Sequence, residues 1–101
     1  MYPTKEILLI VFELKGNNSE YLRLFEFLKS HDGWSHNIPS TWLIATNKTP
    51  HELGEGIRKL VKTPGDRFIA VRLDQYWGIM PKEQSEWITK HRDLSRQADL
   101  R

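Results

Sequence analysis

The stretch Ile7–Lys15, Ile-Leu-Leu-Ile-Val-Phe-Glu-Leu-Lys, constrains the fold more than any other part of the chain. Seven of its nine side chains are apolar, and it stops against the turn signal Gly16-Asn17-Asn18. It is too short for a typical helix and rich in branched side chains, which reads as a strand covered on both faces, hence a central strand. One residue interrupts the pattern. Glu13 lies at the carboxyl end of that strand, and alternation puts it on the same face as Ile7, Leu9 and Val11.

The remaining elements follow in order. Ser19 is suited to cap a helix, and Glu20 suits its first turn. Tyr21, Leu24, Phe25 and Leu28 then fall at helical spacing, with Leu22 and Phe27 widening the stripe and Gly33 as a stop. A core face against a sheet explains this stripe better than a base-stacking platform. Trp34–Asn37 reads as a short strand, Ile38-Pro39-Ser40 as a turn, and Thr41–Thr46 as the returning strand of a hairpin. Thr49-Pro50-His51-Glu52 is a capping box with Pro at the first helical position. Leu53, Ile57, Leu60 and Val61 give that helix its apolar stripe. Gly54 and Gly56 fit no phosphate-binding spacing, and Gly56 instead suggests close packing against the sheet. Pro64-Gly65-Asp66 is a turn and Arg67–Leu73 a fourth strand. Tyr76–Ile79 is a fifth strand or an aromatic loop. A last helix begins near Pro81 or Lys82, with Trp87, Ile88 and His91 on its apolar side.

Strand, helix, strand, strand, helix, strand is the split ferredoxin-like order, βαββαβ, an α+β fold with a four-stranded antiparallel sheet. Its core spans 6–79, and a helical tail spans 81–101. Both core helices lie on one face, so Ile7, Leu9 and Val11 need cover on the other. Either the last helix folds beneath the sheet or a second copy packs there. A homodimer is the favoured expectation, with Tyr76, Trp77 and Ile79 joining its contacts. At 101 residues the chain is one domain. With no cysteine there is no disulfide framework and no thiolate chemistry, and the cytoplasm is the default compartment. Met1–Glu6 lacks the features of a leader, and no apolar run reaches membrane-spanning length. A net charge of +2 permits nucleic-acid binding without demanding it.

In this topology the end of the first strand lies beside the beginnings of the third and fourth. Glu13, Lys15 and Asn17 therefore gather near Ser40, Thr41, Asp66 and Arg67, with His36-Asn37 at the same end. Such a set can hold magnesium on Glu13 and a phosphate on the hydroxyls and cations, with His36 as general acid or base. The plainer alternative is an ion pair of Glu13 with Arg67 or Lys15 closing the sheet end. His31, His36, His51 and His91 are too scattered to make a metal constellation.

Ile10-Val11-Phe12-Glu13-Leu14 resembles the first-strand motif of the small CRISPR-associated spacer-acquisition subunits and of virulence-associated protein D. That motif is an apolar run, an aromatic, an Asp and an apolar residue. Gly33–His36 through Ser40–Ile44, with Arg67–Leu73 and Ser85–Ile88, is similar to a bacterial SinR-like group of ferredoxin-like proteins. The resemblance implies a homodimer in which the strand-end acids face each other, hold a divalent metal and activate water against a phosphodiester, in toxin or defence roles. Only Glu13 falls on the acidic position, and it replaces the Asp. Other members of the superfamily hold nucleic acid or a partner protein without cutting. The two functional expectations are thus a magnesium-dependent nuclease and a non-catalytic dimeric adapter that binds nucleic acid or a protein. The adapter reading draws also on the aromatics Trp34, Tyr76 and Trp77.

Overall fold

The computed structural model describes the backbone of residues 6–99 and the side chains of residues 6–92. Residues 1–5, on which most of the reading of Met1–Glu6 rests, and residues 100–101 of the helical tail lie outside the described residues. Four strands, β1 (Glu6–Glu13), β2 (Gly33–Ile38), β3 (Thr41–Thr46) and β4 (Arg67–Arg72), form one sheet in the order β2-β3-β1-β4. Every pairing is antiparallel, and β1 is central. Helices α1 (Leu22–Lys29), α2 (Pro50–Arg58) and α3 (Lys82–Asp99) complete a ferredoxin-like βαββαβ arrangement with an added terminal helix. Among the described residues no helix is long and apolar enough to cross a membrane.

Alternation along β1 divides the core in two. Leu8, Ile10 and Phe12 point to one face and are buried with Leu24 and Leu28 of α1, Leu53 and Ile57 of α2, and Trp42 and Ile44 of β3. Each such aliphatic burial contributes about 1.5–3 kcal/mol. On the opposite face Ile7 and Leu43 are sealed by Ile88 of α3, with Leu9, Leu73, Met80 and Trp87 packed around them. The last helix therefore does fold beneath the sheet. It covers only the half nearest Ile7.

Local departures have local causes. A 3-10 turn over Asn18–Tyr21 precedes α1, and Asn17 rather than Ser19 stands before it. The Glu20 carboxylate accepts from the Asn17 N–H at 2.6 Å. The helix stops at Lys29, where Ser30 donates to the Phe27 carbonyl at 2.6 Å. Gly33 opens β2 instead of ending the helix, and a Cβ there would come within 2.7 Å of His91 Nε2. Gly56 gives close packing as expected, but against the Phe27 ring of α1, which a Cβ would meet at 2.5 Å. Thr49 caps α2 by accepting from Glu52 N–H at 3.1 Å, while Glu52 accepts from Thr49 N–H at 3.0 Å. Tyr76–Ile79 is an aromatic loop, not a fifth strand.

Candidate functional site

The sheet end where β1 runs out carries two groupings, one on each face. On the α3 face, register sets Glu13 opposite Arg67. Arg67 Nε donates to Glu13 Oε1 at 2.6 Å and its terminal nitrogen pairs with the same oxygen, while Lys15 Nζ lies 3.4 Å from Oε2. The hydrogen bond from Arg67, then the charges of Arg67 and Lys15, lower the pKa of the carboxyl. Glu13 is thus an ionised carboxylate held between two cations, the plainer of the two sequence readings.

The same face continues as bare apolar sheet. Val11 pairs with Ile69 and Leu9 with Val71 in register. Val11 is 41% exposed, Ile69 60%, and Val71 and Ile38 are exposed nearby in the strand order. A shallow hollow of about 320 Å³ runs over Val11, Phe12, Glu13, Arg67, Phe68 and Ile69. On the segment leaving β4, Trp77 and Ile79 are almost wholly exposed, and Tyr76 is exposed although Arg92 lies over its ring. Of the residues expected at a dimer contact, Val11, Tyr76, Trp77 and Ile79 are therefore at the surface. Ile7 is not, because α3 covers it, and Leu9 is half-covered by the same helix.

His36 does not join Glu13. It lies on the other face of the sheet, its ring stacked on Trp42 at 4.2 Å between centroids and 18° between planes. Strand parity and a bulge between Ser35 and Ile38 set this side. Burial, then the charge of Lys29, lowers its pKa. Ser40 sits at the β2–β3 turn with φ 62°, its carbonyl accepting from Phe12 N–H at 2.9 Å. Thr41 is opposite Val11 on the α3 face, and its hydroxyl donates to the Pro39 carbonyl at 3.4 Å. Asn17 stands before the 3-10 turn. The structure thus unites Glu13, Lys15 and Arg67, with Thr41 on the same face, and separates His36 and Ser40 from them.

Two arrangements go beyond the sequence reading, which placed Asp66 at this end but not the bonds it makes. Asp66 ties the loops at this end together: Oδ1 accepts from Lys15 N–H at 2.8 Å and Tyr21 hydroxyl at 2.9 Å, and Oδ2 lies 3.3 Å from Thr63 N. The Tyr21 oxygen in turn accepts from Gly16 N–H at 2.7 Å. The second arrangement is aromatic. Phe25, Trp34 and His36 all pack around Trp42, and Lys29 Nζ stands 4.9 Å over the Trp34 ring. The pattern Trp34-x-His36 across a hairpin from Trp42 was the available signal for it.

For magnesium the donor set fits poorly. The one carboxylate of the α3-face grouping is already bound by a guanidinium and an ammonium. Among the described residues no three His, Cys, Asp or Glu side chains converge on a metal-sized space. No family model, curated protein or solved structure matches the chain.

Proposed function

We propose that this chain works as a homodimer that holds nucleic acid without cutting it, two copies meeting on the uncovered half of the sheet. The exposed run of Val11, Ile69 and Val71 carries the reading, because monomers rarely leave contiguous apolar sheet in water. A two-fold contact there is self-complementary: Glu13 and Arg67 stand side by side at its rim, so each can meet the other's counterpart across the axis. Trp77 and Ile79 supply further apolar surface next in the chain to β4. Nucleic acid as the partner rests on the family resemblance, and the net charge of +2 and the pI near 9.0 permit it. Holding is preferred to cutting because the Glu13 carboxylate is neutralised in place and His36 lies across the sheet from it, so no hydrolytic step is derived.

The test is a gel shift on single- and double-stranded RNA and DNA, run with magnesium, using wild type and Glu13→Ala. Binding that weakens as salt rises, with no product formed, is the expected result. Magnesium-dependent product that disappears in Glu13→Ala would overturn it in favour of the nuclease. Failure to bind any nucleic acid at low salt would leave a protein as the adapter's partner.

A further inference from the structure

The aromatic edge formed by β2, β3 and α1 has no part in the dimer contact. We propose that it seats single-stranded nucleic acid, one unstacked base lying on His36 over the hollow that His36 lines and its neighbour on Trp34. The inference rests on the nucleic-acid reading above and assigns the surface that does the binding.

Three features of the edge favour a planar ring attached to a phosphate chain. The first is ring geometry: Trp42 is buried with Phe25 and His36 packed 18° from its plane, which leaves the exposed ring of His36 and the half-exposed ring of Trp34 as the stacking surfaces. Bases stack on such surfaces whatever their identity, because every base offers a π-face. The second is the hollow itself, about 200 Å³, with Asn18 and Ser40 at its margin. Both side chains are exposed and can donate to or accept from a base edge. The third is the cation. Lys29 rests over the half-exposed Trp34 in the free protein. A base arriving on Trp34 displaces the ammonium toward the phosphate that accompanies it. The lowered pKa of His36 keeps its ring neutral near pH 7, which suits stacking. A duplex cannot use this edge, since its bases are already stacked and paired.

The experiment is fluorescence anisotropy with end-labelled oligoadenylate and oligouridylate RNA, and with a blunt duplex of equal length, using the full chain. Wild type is expected to bind the single strands about ten-fold or more tightly than the duplex. Trp34→Leu and His36→Ala are each expected to weaken single-strand binding about ten-fold, the scale of one lost base stack. Lys29→Gln should reduce the slope of log affinity against log salt by about one. Lys29 is exposed on α1, so this variant keeps the proposal testable if a ring substitution unfolds the chain. Wild-type affinity in all three variants, with single strand and duplex bound alike, would remove the edge as the seat while leaving nucleic-acid binding intact. Absence of binding to either form would overturn both readings.

Discussion

Asp66 and His31 show how single polar groups are held at the rims of this fold. The Asp66 carboxylate accepts from Lys15 N–H, Tyr21 hydroxyl and Thr63 N–H, joining the loop after β1 to the loop before β4. Asp66→Ala strands all three donors and is expected to cost about 2–3 kcal/mol in urea unfolding, the scale for unmade hydrogen bonds to a charged acceptor. His31 Nδ1 lies 3.2 Å from the Leu28 carbonyl, which can only accept, and Nε2 lies 3.1 Å from Lys48 Nζ, which can only donate. The ring is therefore neutral with its proton on Nδ1. Burial is the largest cause lowering the pKa of His31, as it is for His36. Both folded values fall below the ordinary 6.5, so the unfolded chain binds more protons over that window and stability drops as pH falls through it. The melting midpoint should fall between about pH 7.5 and about pH 5.5, and His31→Phe should shrink the fall. A flat profile in wild type would contradict the neutral assignment.

At the level of elements, legibility followed locality. β3, β4 and the start of α2 stand within a residue of their sequence-read positions and β1 within two, because an apolar run marks each strand and a capping box marks α2. The cap before α1 was misplaced since Asn17 and Ser19 are both able caps, and only the Glu20 carboxylate on Asn17 N–H distinguishes them. The side of the sheet taken by His36 was not legible either. Topology alone gives which end a residue occupies, whereas its face depends on hairpin register, and here a bulge intervenes. The cover over Ile7 was ambiguous because an intramolecular helix and a second copy demand the same apolar side chains. α3 resolves it for half the face. Ile88 is 2% exposed between Ile7 and Leu43, so Ile88→Ala is expected to cost about 2–4 kcal/mol, read as a lower urea midpoint. A loss under about 0.5 kcal/mol would mean that α3 contributes little to the cover.

Across the whole molecule, the unfinished sandwich is the feature on which the proposed dimer rests. α1 and α2 complete one face, α3 completes half of the other, and the remaining half presents Val11, Ile69 and Val71 beside the Glu13–Arg67 pair. The aromatic edge around Trp42 lies on the opposite face, so occupation of one leaves the other free. Sedimentation equilibrium of wild type and Ile69→Glu tests the dimer most directly. Wild type should sediment at twice the 12.0 kDa chain mass and Ile69→Glu at 12.0 kDa, with both variants folded. A wild-type chain that stays at 12.0 kDa at every concentration would contradict it.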